Sequence, residues 1–134
     1  MTVRCILVDD SSRFVSAARA LLEREGMVIA GVGSTGADAM RLVQELHPDV
    51  TLLDIDLGGE SGLDVARRLA ATAMPPRVIL ISTHSEEDFA ALTAASPAIG
   101  FLPKAQLSAR AIRDLLDTGG DGASPPGLCT PRER

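Results

Sequence analysis

Apolar residues gather into five short runs, separated by longer stretches in which they recur at spacings of three and four. The runs lie at 5–8, 28–32, 50–53, 78–81 and 99–102, each four or five residues long and rich in Val, Ile or Leu. Unbroken apolar runs of this length predict strands buried on both faces, because a strand with one wet face alternates instead. The stretches between them predict amphipathic helices. The first spans 12–24, with Phe14, Ala18, Leu21 and Leu22 on one side and Gly26 as its stop. The second, 37–46, follows Thr35-Gly36, presents Ala39, Leu42, Val43 and Leu46, and is blocked by Pro48. The third, 62–72, has Ser61 as its N-cap and ends before Pro75-Pro76. The fourth, 86–95, follows Ser85 and carries two acids in its first turn, which suits the helix dipole. The fifth, 109–116, is capped by Ser108.

Strand and helix alternate five times. That order predicts an α/β fold: a five-stranded parallel sheet with right-handed crossovers, doubly wound by five helices. Ligands of such sheets sit at the carboxyl ends of the strands, where the winding direction switches. After Thr118 the run Gly119-Gly120-Asp121-Gly122-Ala123-Ser124-Pro125-Pro126-Gly127 reads as unstructured. The expected organisation is therefore one domain over 1–118 and a flexible linker or tail over 119–134.

Composition refines this picture in three ways. With 134 residues there is room for one domain, and 46% hydrophobic but only 2% aromatic residues require an aliphatic core. The net charge of -5 disfavours a nucleic-acid surface on this chain, since phosphate binding calls for Lys and Arg clusters. Cys5 lies in an apolar run and should behave as a small buried hydrophobe, whereas Cys129 lies in the polar tail. A bridge between them is not expected, and their spacing fits no metal motif. No apolar stretch approaches the about 18 residues needed to cross a membrane, and no signal peptide is visible. A reduced, cytoplasmic protein without membrane contact is the default expectation.

Chemistry concentrates at the strand ends. The first run ends in Asp9-Asp10, the third in Asp54, the fourth in Ser82-Thr83, and the fifth reaches Lys104. Parallel order puts all of them on one edge. Three carboxylates brought together repel one another unless a hard cation relieves them, and Mg²⁺ takes carboxylate, water and phosphate oxygens. Lys104 adds a mobile positive charge and Ser82 a hydrogen-bond donor. Carboxylate, Mg²⁺, Lys and Ser form a coherent set for making an aspartyl phosphate.

These residues resemble those of the receiver domain of bacterial two-component response regulators, over about residues 3–117. The matching segments are Ile6-Leu7-Val8-Asp9-Asp10, Pro48-Asp49-Val50-Thr51-Leu52-Leu53-Asp54, Gly62, Ile79-Leu80-Ile81-Ser82 and Gly100-Phe101-Leu102-Pro103-Lys104. The resemblance implies a flavodoxin-like fold and a phosphoryl group received on Asp54 from a sensor histidine kinase. It implies Mg²⁺ held by the side chains of Asp10 and Asp54, by the Asp56 backbone carbonyl, and by Asp9 through water. Ser82 and Phe101 would be the switch pair, and Lys104 would meet the phosphoryl oxygens. Asp56 and His84, two residues past Asp54 and Ser82, would tune dephosphorylation. A homodimer through the fourth helix, fifth strand and fifth helix is an arrangement the resemblance also implies.

The chain departs from the family pattern in three places. Gly58-Gly59 stands where many receivers carry Pro, Ala105 rather than Pro follows Lys104, and Ala94-Ala95-Ser96-Pro97-Ala98 replaces a common Gly-Ala. Two other readings compete. Asp54-Ile55-Asp56 resembles the Asp-x-Asp of haloacid-dehalogenase-type phosphatases, although there the acidic pair comes later in the chain. A binding module independent of phosphorylation is the second. The segment Leu128-Cys129-Thr130-Pro131-Arg132-Glu133-Arg134 resembles the opening of a LuxR-type helix-turn-helix domain, the output that often follows such receivers.

Overall fold

A computed structural model describes residues 2–83 and 97–123, with backbone alone for 118–123. The five apolar runs form β1 (Arg4–Val8), β2 (Val28–Gly33), β3 (Val50–Asp54), β4 (Val78–Ser82) and β5 (Gly100–Pro103). The helices among the described residues are α1 (Ser12–Arg24), α2 (Gly36–Leu46), α3 (Gly62–Ala70) and α4 (Ala109–Ala123). The helix predicted over 86–95, His84 and Cys129 lie outside the described residues.

All strands are parallel and ordered β2-β1-β3-β4-β5. The chain steps from β1 to one side, then returns past it to β3, so the winding switches between β1 and β3 and leaves a crevice at their carboxyl ends. All five residues of β3 and of β4 are buried, which is what their unbroken apolar pattern predicts. The sheet divides the interior in two by the two-residue alternation of each strand. Cys5, Leu7, Val50, Leu52, Ile79 and Ile81 face α1 and α4, while Ile6, Val8, Leu53, Val78 and Leu80 face α2 and α3.

Three details differ from the sequence reading. The buried stripe of α1 is Val15, Ala18 and Leu22, not Phe14, Ala18, Leu21 and Leu22; Phe14 is only partly buried, at the edge of the stripe. Spacings of three and four fit both sets, and the packing partner decides. The third helix ends at Ala70 rather than Thr72. The last helix runs to Ala123, past Leu116 and through Gly119-Gly120, where a linker was expected. Buried Ala109 and Ile112 fix its first turns, so the costly nucleus is already formed when the helix reaches the glycines. Its start is anchored by the Glu25 carboxylate, which accepts the Ala109 N–H at 2.7 Å.

Cys5 is wholly buried and free, and burial pushes its thiol up to about 12. In a Cys129→Ser background the folded protein is expected to resist a thiol-reactive dye at pH 8 and to react at once in denaturant. Rapid labelling of the native state would contradict the buried placement. No helix among the described residues is long and apolar enough to cross a membrane.

Candidate functional site

Asp9 follows β1 at the switch point, its N–H continuing the ladder to the Gly33 carbonyl at 3.0 Å. Asp9 as a whole is 2% exposed. Oδ1 accepts the Ser11 N–H at 2.8 Å, and Ser11 in turn caps α1, its Oγ accepting the Phe14 N–H at 3.3 Å. Asp10, next along, is exposed. Asp54 closes β3 and is 5% exposed. Carboxylate oxygens of Asp9, Asp10 and Asp54 lie within 4.8 Å of one another.

Lys104 reaches this cluster from the end of β5, where it opens a 3-10 turn, Lys104–Gln106. Its Nζ lies 2.6 Å from Asp9 Oδ2 and 3.3 Å from Asp54 Oδ2. The contact with Asp54 is a hydrogen bond, and the one with Asp9, the shorter of the two, is a close ion pair on a buried oxygen. The Lys104 peptide bonds are trans, as are all those among the described residues, and Ala105 takes its place inside the short turn.

Burial raises the Asp54 carboxyl to about 6. The Asp56 N–H on its Oδ1, at 3.2 Å, opposes that rise, the Asp9 charge adds to it, and Lys104 opposes it. Burial works against the Lys104 ammonium, but contact with Asp9 and the charge of Asp54 outweigh it and hold Lys104 above its ordinary range. Both directions describe a site short of positive charge. One ammonium meets Asp9 and Asp54, and the third carboxylate, Asp10, offers an oxygen within 4.8 Å of theirs. An oxygen-seeking divalent cation such as Mg²⁺ fits that donor set.

The loop after Asp54 is tied tightly. Asp56 Oδ1 accepts the Gly58 N–H at 3.1 Å, Leu57 donates to the Glu60 carbonyl at 2.9 Å, and Gly62 donates to the Ile55 carbonyl at 2.6 Å. Asp56 is therefore close to Asp54 through its backbone, while its exposed carboxylate serves the turn and is not in the three-carboxylate cluster. That engagement disfavours the phosphatase reading, in which the second Asp would be the acid. Gly58 has φ +78, and a Cβ there would stand 3.2 Å from Asp10 Oδ2. Glu60 was not anticipated from sequence. Its Oε1 accepts the first N–H of α2, from Gly36, at 2.8 Å, and its Oε2 pairs with Arg68 at 2.7 Å. These donors, the Gly36 N–H first, hold the Glu60 carboxyl below its usual range.

Ser82 ends β4, 2% exposed, one residue beyond the Ile81 that pairs with Asp54 and opposite Pro103 of β5. Phe101 is partly buried on the α2–α3 side of the sheet. The structure thus joins Asp9, Asp10, Asp54 and Lys104 by direct approach, Asp56 by a backbone hydrogen bond, and Ser82 by register. Phe14, which sequence reasoning assigned to the core face, carries Lys104 Nζ 4.4 Å above its ring centroid. Its only signal in the sequence is its place in the first turn after Asp9-Asp10.

The response regulator receiver domain model matches residues 5–117. A protein-glutamate methylesterase/protein-glutamine glutaminase of Myxococcus xanthus is 41% identical over 93 residues, which is 69% of this chain and 27% of that protein. NarL of Mycobacterium tuberculosis is 33% identical over 116 residues, 86% of this chain and 54% of NarL. The chain spans at most about half the length of these curated relatives. The solved signal receiver domain of a NarL response regulator from M. tuberculosis superposes with a TM-score of 0.76 at 30% identity, covering 89% of this chain and 97% of that domain.

Proposed function

The chain belongs to the response regulator receiver domain family, and on that premise we propose that Asp54 is its phosphoryl acceptor, served by a phosphohistidine of a sensor histidine kinase. The observation that carries this reading is the meeting of three carboxylates with Lys104 at the sheet's switch point. An Asp54 carboxylate oxygen forms the new P–O bond, the P–N bond of the donor breaks, and the imidazole leaves and takes up a proton. Lys104, already 3.3 Å from Asp54 Oδ2, is within a side-chain rotation of the incoming phosphoryl oxygens. Mg²⁺, when bound, neutralises charge on the transferring group and on the cluster. Asp10 and Asp54 would hold it by their side chains, the Asp56 carbonyl by backbone, and Asp9 through water.

The product adds roughly -1.5 to -2 charge to an acidic pocket. Ser82, at the adjoining strand end, offers a hydroxyl to the new group, and Phe101 on the next strand follows it as the switch. Asp56 and His84 then set how fast water removes the phosphoryl group. In this reading the chain is not a turnover enzyme but an acceptor that assists its own modification, working in the cytoplasm. A dimer through the helix predicted over 86–95, β5 and α4 would pass the change on.

With acetyl phosphate and Mg²⁺ the wild type is expected to gain one phosphoryl group, read by intact-protein mass and by a Phos-tag gel shift. Asp54→Ala and chelation by EDTA should each abolish it. Undiminished labelling of Asp54→Ala would sink the assignment.

A further inference from the structure

Lys104 is a flexible side chain that must hold its ammonium at one place, and the two carboxylates it meets are mutually repulsive. Its side chain keeps only 15% exposure, so water does little to fix it. The Phe14 ring lies 4.4 Å from Nζ, within the range in which a ring face attracts a desolvated cation. The ring packs against the edge of the core cluster and is only partly covered by it. The buried stripe of α1 is Val15, Ala18 and Leu22, and Phe14 stands one residue outside it, partly exposed. Aromatics are scarce in this chain, three Phe and no Trp or Tyr, yet one sits here.

The contacts around Phe14 close into a ring of four links. Asp9 Oδ1 takes the Ser11 N–H, Ser11 Oγ takes the Phe14 N–H, the Phe14 ring faces Lys104 Nζ, and Nζ returns to Asp9 Oδ2. The first turn of α1 is thereby keyed to the same carboxylate that Lys104 pairs with. We propose that Phe14 is a positioning residue: its ring face holds the Lys104 ammonium between Asp9 and Asp54, ready for the phosphoryl oxygens. This role rests on Asp54 being the acceptor. The property required is the aromatic face, not apolar volume. Leucine at position 14 keeps the packing and loses the function; tyrosine or tryptophan retains it.

The test compares initial rates of Mg²⁺-dependent labelling by acetyl phosphate in wild type, Phe14→Leu, Phe14→Tyr and Phe14→Trp. Phe14→Leu should lower the saturating rate constant about three- to tenfold with little change in half-saturating donor, and one of the aromatic variants should come within about twofold of wild type. In a Lys104→Met background Phe14→Leu should have no further effect. A second readout needs no variant and no phosphodonor: the Lys104 ε-methylene protons should be shifted upfield by the ring in the wild-type NMR spectrum. A labelled wild type matched by Phe14→Leu overturns the positioning role alone, as does an equal slowing by Phe14→Leu in the Lys104→Met background. Unshifted ε-methylene protons overturn it whatever the variants do. A wild type that takes no label removes the Asp54 reading, and the role of Phe14 in transfer with it.

Discussion

Gly62→Ala is expected to destabilise the fold by about 3 kcal/mol or more and to slow phosphorylation of Asp54. A Cβ at Gly62 would stand far inside van der Waals contact with the Asp54 carbonyl oxygen and 2.8 Å from Ile55 Cα. Neither obstacle is the end of a flexible side chain. Both belong to the backbone that leaves β3, which is fixed on its other side by the Ile55 N–H to the Ile81 carbonyl at 3.0 Å. The methyl can be accommodated only by moving that backbone, and with it the Asp54 side chain. Opening the contact also breaks the 2.6 Å bond from the Gly62 N–H to the Ile55 carbonyl. Urea titration should show a lower midpoint with an unchanged slope, and a mutant within 1 kcal/mol of wild type would refute the close approach.

Lys104→Met should lower the rate of acetyl phosphate labelling about 10²- to 10³-fold, the range for losing one preorganised group that meets developing charge. The substitution keeps much of the apolar stem and removes the ammonium. Asp9 and Asp54, 2% and 5% exposed, then face each other with no cation between them. In EDTA the fold should lose about 2 kcal/mol, below the usual figure for a broken buried pair because Lys104 retains some solvent. Added Mg²⁺ should narrow that deficit without restoring the rate. Chemical denaturation with and without the metal, beside the labelling time course, separates the two effects. A rate within threefold of wild type would dismiss Lys104 from transfer.

The fold was legible because its core is written in unbroken apolar runs, and parallel order follows from the helices between them. Strand limits moved by a residue where polar ends join the ladder: Arg4, Asp54 and Ser82 are sheet residues although nothing apolar marks them. The site was legible for the same reason. A parallel sheet delivers its carboxyl ends to one edge, so Asp9, Asp10, Asp54 and Lys104 could be grouped without knowing any distance. What stayed hidden depends on side chains meeting across the fold. Phe14 fits a helix face by spacing, and only the position of Lys104 shows that the ring turns to a charge. Glu60 reads as a surface acid until α2, whose first residue is 24 positions away, is laid beside it.

The loop between β3 and α3 brings these points together. Glu60 and Gly62 pin its far end to α2, Arg68 and Ile55, and Asp56 pins its near end to Asp54. Between the anchors Leu57 turns inward and is buried, which leaves Gly58 and Gly59 at the surface, and a Cβ at Gly59 would meet nothing within 4 Å. On that side the doorway to Asp54 is framed by bare backbone. On the proposed reading, those two glycines offer an approaching phosphodonor backbone shape alone, and side-chain discrimination at this edge falls to the exposed Asp10 and Asp56 beside them.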